Sequence, residues 1–228
     1  MSTCTLARAE VLSELLNERW SCRAFRDRPV PPATLDRLLE MAQRSPSWCN
    51  VQPWHATVVT GERLERLRAD LMDYAATHAE VPDIAFPEKY EGAYRDRRRE
   101  CGWQLYDSVG IVRGDADASN AQMMENFRFF GAPAIAVITG EPALGTYGVL
   151  DCGVYLGNFM LAAQSLGLAS IAQASIASHS SFMREQLQIP ASRQVIVGVS
   201  FGYADPEHPT AGYRTSRAAI SDAVTALD

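Results

Sequence analysis

Ser45-Pro46-Ser47-Trp48-Cys49-Asn50-Val51-Gln52-Pro53-Trp54-His55 is the stretch around which the rest of the chain is organised. Its two prolines, two tryptophans and run of small or amide side chains cannot extend the amphipathic helix predicted before it, so the stretch reads as a fixed loop. Hydroxyl, thiol, carboxamide and backbone N–H groups stand side by side there. Asn50 and Gln52 each donate and accept, Ser47 does both through one oxygen, and the indoles offer apolar walls, which suits a flat aromatic ligand with polar edges. The same loop also reads as a helix-to-strand connector whose tryptophans plug a core. A pocket needs convergent groups from elsewhere in the chain to decide between the two.

Upstream, Pro31-Pro32 open a helix predicted through Arg44, with Leu35, Leu38, Leu39 and Ala42 as its apolar stripe. A first helix over Leu6 to Leu16 runs into Arg19-Trp20-Ser21-Cys22-Arg23. Arg19 and Arg23 flank a serine, a spacing that lets both guanidiniums address one anionic or electron-rich ligand, or leaves two solvated arginines at a helix end.

Downstream, Ala56 to Thr60 is a β-branched strand, followed by a helix from about Arg63 to Ala76. Residues 78–114 form an insertion of weak pattern, where aromatics interleave with Arg95-Asp96-Arg97-Arg98-Arg99-Glu100 as a lid or a solvated surface helix. A helix is predicted over Asn120 to Phe130, a central strand over Ala134 to Thr139, and a buried or subunit-interface helix over about Val149 to Leu166. Gly153, Gly157, Ala162 and Ala163 would permit close approach of another helix. A strand over Ala169 to Ala172, a turn at Gln173-Ala174-Ser175, a helix over Ser180 to Leu187 and a strand over Val195 to Phe201 follow. The tail places Arg214 and Arg217 around hydroxyls.

At 228 residues and 47% hydrophobic content the chain can bury a full core, and a single domain spanning 1–228 is expected. A net charge of −6 argues against nucleic acid or an anionic membrane as partner. The five cysteines are scattered without metal-ligand spacing and the N-terminus has no apolar targeting run, so reduced thiols and a cytoplasmic protein are expected. His55, His78, His179 and His208 are dispersed, no metal site is predicted, and neither Ser47 nor Cys49 has a local base that would make it a nucleophile.

Three separated segments share one chemistry: Arg19-x-Ser21-x-Arg23, Pro46-Ser47-x-x-Asn50-x-Gln52-Pro53-Trp54, and Arg214-x-x-Arg217. In this order they resemble the flavin-dependent nitroreductase family over nearly the whole chain, the insertion matching least. The resemblance implies an α+β fold with a central, mainly antiparallel mixed sheet flanked by helices. It also implies an intertwined homodimer, with two FMN sites at the subunit interface and a swapped C-terminal tail. Carried over residue by residue, Arg19 and Arg217 hold the FMN phosphate with Arg214 as a second candidate. Ser21 contacts the flavin side, Arg23 the N1–C2 edge, and Trp20 stands where the family often has Arg or His.

Ser47, Trp48 and Asn50 reach the FMN bound mainly by the other subunit, while Gln52, Pro53 and Trp54 fix the loop. Asn126 approaches from the helix before Pro133, and Gln173 and Ala174 present polar groups near N5 and O4. No protein acid or base is implied as catalytic. NADH or NADPH would reduce the cofactor, and a nitroaromatic or related electron-poor aromatic or quinone would reoxidise it two electrons at a time in ping-pong fashion. The alternatives are another flavin branch of the superfamily, a halophenol dehalogenase or an oxidative flavoenzyme, and a non-enzymatic flavin-binding module.

Overall fold

The computed structural model describes residues 3–227, with side chains from Leu6 onward; the side chain of Cys4 lies outside the described residues. Four apolar, β-branched runs become strands: β1 (His55–Thr60), β2 (Ala134–Gly140), β3 (Ala169–Gln173) and β4 (Gln194–Gly202). They form one sheet in the order β1-β2-β4-β3, antiparallel at every pairing. Every residue of β2 is buried, as its unbroken apolar run requires of a central strand. Beyond β3, Ser21 makes a parallel bridge to Ser170 and Phe25 an antiparallel bridge to Ala204, so the segment after the first helix is laid along the sheet.

Alternation along the strands divides the core in two. Ile135, Val137 and Ile171 face one layer, made by Leu64, Leu67 and Leu71 of α3 (Gly61–Thr77) and by Phe182, Met183 and Leu187 of α8 (Ser180–Leu187). Ala134, Ala136 and Ile138 face the other, made by Leu38 and Ala42 of α2 (Pro32–Ala42) and by Tyr155, Phe159, Ala162 and Ala163 of α6 (Gly145–Ser165). A bulge beside Ile138 and Thr139 breaks the period on β4, and Val195 therefore joins the first layer while Val197, Val199 and Phe201 join the second. Gly198 is required by close packing, since a Cβ there would collide with Ile176 of α7 (Ala174–Ala177).

Of the four small residues expected to admit a neighbouring helix, Ala162 and Ala163 are buried in this chain's own core. A Cβ at Gly153 or Gly157 would meet nothing. Tyr147 and Leu150 on α6, and Val11, Leu12 and Leu16 on α1 (Thr3–Glu18), are exposed. Among the described residues no helix is long and apolar enough to cross a membrane.

Of the two readings left open for the insertion, a surface helix is present as α4 (Gly92–Ser108), none of whose residues is buried. One stretch departs from the sequence reading. The helix expected over Asn120 to Phe130 is instead α5 (Ala116–Met124), and the chain turns before Pro133, with Phe129 and Phe130 at φ of 57° and 53°. Phe127, Phe129 and Phe130 are all buried in the same layer, and residues two apart on a helix point to nearly opposite sides. Burying all three against one core outweighs continuing the helix. Asn126 therefore stands in the turn rather than on a helix.

Candidate functional site

Arg19 ends α1, its N–H bonded to the Leu15 carbonyl at 3.1 Å. From there the chain runs extended beside β3, with the Cys22 N–H on the Ser170 carbonyl at 3.1 Å and the Cys22 side chain buried. Alternation turns Ser21 and Arg23 away from the core that Cys22 enters. After β4, the Asp205 N–H bonds the Ala24 carbonyl at 3.0 Å, and a short turn over Pro209–Gly212 delivers Tyr213 and the tail to the same place.

The two arginine segments meet there. The Arg214 guanidinium lies 4.1 Å from the Trp20 ring centroid, and Arg23 lies 5.3 Å from that of Tyr213. Burial, and then the nearby charge of Arg217, hold the Arg19 guanidinium below its usual pKa; burial does the same to Arg23, with Tyr213 partly opposing. Among the described residues no carboxylate forms an ion pair with Arg19, Arg23, Arg214 or Arg217. Four cations gathered without an ion-paired carboxylate, two of them, Arg19 and Arg23, partly desolvated, make a site for an anion, and guanidinium forks match phosphate oxygens. Beside Arg23 opens a cleft of about 450 Å³ lined by Val109, Ile111, Gln122, Glu125 and His208.

Gln173 and Asn126 are brought together and bond one another. The Gln173 side chain is buried; its Nε2 donates to the Asn126 carbonyl at 2.8 Å, and its Oε1 accepts from Ser200 Oγ. With donor and acceptor both engaged inside the fold, the amide of Gln173 offers nothing to an outside ligand. The exposed neighbour Ala174 presents only backbone. Asn126 Nδ2 donates to the Met123 carbonyl at 2.9 Å and closes the turn after α5.

The Ser45–His55 loop is held by its own amides and by α6. Ser45 Oγ donates to the Ala42 carbonyl at 2.7 Å and accepts from Asn158 Nδ2 at 2.9 Å, which closes α2 onto α6. Ser47 Oγ accepts from the Gln52 N–H at 2.9 Å, Gln43 Nε2 donates to Gln52 Oε1 at 3.0 Å, and Trp54 Nε1 donates to Gln43 Oε1 at 3.1 Å. Trp54 is buried and stacked 5.1 Å from Tyr155, so one tryptophan does plug the core. Trp48 does not: it is 61% exposed, edge-on to Tyr147 at 4.5 Å.

The Trp48 N–H donates to both carboxylate oxygens of Asp151 at 3.2 Å. With Cys49, Asn50 and Gln52 at φ of 50°, 57° and 51°, the backbone adopts a left-handed course that presents Trp48, Cys49 and Asn50 outward.

The loop and the arginines lie at opposite ends of α6. Asp151 near its start holds Trp48, whereas Gln164 near its end donates to Glu18, the neighbour of Arg19, at 3.4 Å. At about 1.5 Å per helical residue the two anchor points are about 20 Å apart. Within one chain Ser47, Trp48 and Asn50 are therefore not brought to Arg19.

Of the other aromatics, Phe130 is core, while Phe86 and Trp103 are more than a third exposed. Among the described residues no group of three or more His, Cys, Asp or Glu is placed to hold a metal. Sequence reasoning missed Gln43, Asp151 and Tyr213 as site-building residues. Asp151 left a signal, the one charge in an otherwise uncharged helix; Tyr213 left none.

The family model described as "Nitroreductase family" matches residues 16–203. The chain is 34% identical over 225 residues to a 4-nitrobenzoate reductase of Nocardioides sp. (strain LMS-CY), covering 96% of this chain and 90% of that protein. It is similar in structure to the FMN-dependent nitroreductase NfnB from Mycobacterium smegmatis in complex with NADPH, with a TM-score of 0.93 at 32% identity over 96% of this chain and 99% of that one. A second similar structure is the FMN and NADPH-dependent nitroreductase NfnB from sphigopyxis sp. strain HMH, with a TM-score of 0.91 at 34% identity over 95% of this chain and 99% of that one.

Proposed function

Because the chain belongs to the nitroreductase family, we propose that it is an FMN-dependent oxidoreductase that takes electrons from NADPH or NADH and reduces nitroaromatic compounds. The observation that carries this reading is the convergence of Arg19, Arg23, Arg214 and Arg217 without a carboxylate among them, which fits a phosphate and an electron-rich ring edge. FMN, when bound, supplies two-electron hydride chemistry between nicotinamide and nitro group.

The chain's own residues bind and position. Arg19 and Arg217, with Arg214 beside them, would neutralise the phosphate. Trp20 under Arg214 restricts that side chain, and Ser21 lies between the two arginines of its segment. Arg23, braced by its Nη1 donating to the Ser21 carbonyl at 3.1 Å and by the Tyr213 ring, supplies a fixed positive charge at the ring edge. A preorganised charge of this kind stabilises developing negative charge without solvent rearrangement.

The separation along α6 supports a homodimer with the site shared between subunits. A second copy brings its Ser47, Trp48 and Asn50 to the arginines of the first, and the open faces of α1 and α6 supply apolar surface for that contact. We read residues 1–228 as one FMN-binding unit, and 78–114 as the segment that borders the substrate side through Val109 and Ile111.

The test is rapid mixing of the purified protein under anaerobic conditions. Bleaching of an oxidised flavin spectrum by NADPH or NADH, and its recovery on adding a nitroarene, supports the reading. A protein that takes up no FMN, or whose flavin is reduced but not reoxidised by any nitroarene, overturns it.

A further inference from the structure

Tyr213 stands where three parts of the molecule meet. Its hydroxyl donates to the Cys101 carbonyl on α4 at 2.8 Å and lies 2.9 Å from Cys101 Sγ. Its ring carries the Arg23 guanidinium at 5.3 Å, and its own carbonyl accepts from Arg214 Nη1 at 2.9 Å. The Tyr213 N–H is tied to the Thr210 carbonyl at 3.1 Å, and the residue is 7% exposed. One side chain thus joins the insertion helix to both arginine segments.

Apart from the half-buried Leu105 and Tyr106, α4 is held mainly through the tail. None of its residues is buried, and its remaining links to the tail are exposed: Arg97 reaches Asp222 at 3.9 Å, and Ser216 Oγ donates to Glu100 at 3.5 Å. Exposed pairs of this kind contribute little. The buried Tyr213 hydroxyl is the strong polar contact, since a buried hydroxyl without a partner is costly. Burial and the Cys101 contact push its pKa up to about 12, so the proton it donates is present throughout the neutral range.

We infer that Tyr213 is a positioning residue that couples the docking of α4 to the geometry of Arg23 and Arg214, so that cofactor binding at the arginines and order in the insertion helix reinforce one another. The inference rests on the FMN reading above. Linkage makes the coupling reciprocal: whatever α4 docking adds to cofactor affinity, the cofactor adds to α4 docking.

Hydrogen–deuterium exchange on the full-length protein, as apoprotein and with FMN, tests it. In the wild type FMN should slow exchange across residues 92–108. In Tyr213→Phe, which keeps the ring and deletes the donor, the FMN dissociation constant should rise about tenfold, the scale of one lost buried hydrogen bond. At saturating FMN that variant should also lose most of the protection of α4, which an affinity defect alone would leave intact. Equal protection of α4 in wild type and variant at saturating FMN overturns the inference, as does α4 exchange in the wild type that FMN leaves unchanged. The latter result needs no variant to fold. Wild-type protein that binds no FMN overturns the functional reading itself, and is read before the variant is compared.

Discussion

The guanidinium of Arg214 lies 4.1 Å from the ring centroid of Trp20, joining the segment after the Pro209–Gly212 turn to the segment that follows the first helix. Trp20 occupies a position between Arg19 and Ser21 and gives Arg214 a flat, apolar seat. A cation over an indole face contributes about 0.5 to 2 kcal/mol depending on how much water is excluded. Trp20→Ala and Arg214→Ala should each weaken FMN retention. The double variant should be less impaired than the sum of the two, and additive losses in a double-mutant cycle would show that the pair does not act together.

Arg19 and Arg217 repel one another, and burial of Arg19 accentuates this. An anion should therefore stabilise the apoprotein more than ionic strength alone does. We expect its Tm to rise with inorganic phosphate relative to chloride at equal ionic strength, and Arg19→Ala to abolish that difference. The same variant should lose about 1.5 to 3 kcal/mol of FMN binding, the value of a charge-assisted contact. Calorimetric titration with FMN and a thermal melt with each anion check both expectations.

Asp151 is buried, and both its oxygens accept from the Trp48 N–H. Removing this acceptor leaves a backbone N–H in need of a partner and frees the left-handed turn at Cys49 and Asn50. Asp151→Ala should cost about 1 to 3 kcal/mol of stability in a denaturant titration. Asp151→Asn, which keeps one acceptor, should recover most of it; equal losses in the two would point to packing instead of the hydrogen bond.

Cys22 and Cys152 are buried, and desolvation raises both thiols from near 9 to about 11. Between about pH 9 and 11 the unfolded chain therefore binds fewer protons at these positions than the folded chain does. Their contribution to stability is complete below about pH 9 and declines as pH rises through 11. Cys22→Ala and Cys152→Ala should flatten the alkaline limb of a pH–stability profile, and an unchanged limb would refute the assignment. In a Cys4→Ser background a thiol reagent near pH 8 should label Cys49, which is exposed, well before Cys22 or Cys152.

Much of this architecture was legible in the residues because local chemistry dictated it. The apolar run at Ala134–Thr139 could only be a central strand, Pro31-Pro32 could open a helix but not continue one, and Trp54 had the size to plug a core. The positions of Arg19, Arg23, Arg214 and Arg217 were legible as residue types suited to phosphate, whereas their meeting depends on the bridge of Phe25 to Ala204, a long-range pairing that no local pattern encodes.

The helix expected through Phe130 failed because three phenylalanines had to enter one core layer, a tertiary demand stronger than helical propensity. The place of Gln173 near the flavin comes from the resemblance alone, since no local pattern shows which way a glutamine at a strand end turns. Ser200 on the adjacent strand and the Asn126 carbonyl across the turn capture its amide. Tyr213 gave no signal, since its partner at Cys101 lies in the segment with the weakest pattern of all.

A site shared between the arginines of one subunit and the Ser47–Asn50 loop of the other would unite groups that a single chain holds about 20 Å apart along α6. Mixed dimers test it most directly. Arg19→Ala and Asn50→Ala homodimers should each be impaired at both sites. A heterodimer of the two variants places both lesions in one site and leaves the other intact, so it should recover close to half of the wild-type rate of NADPH-dependent nitroarene reduction. A heterodimer no more active than the two impaired homodimers would contradict the shared site.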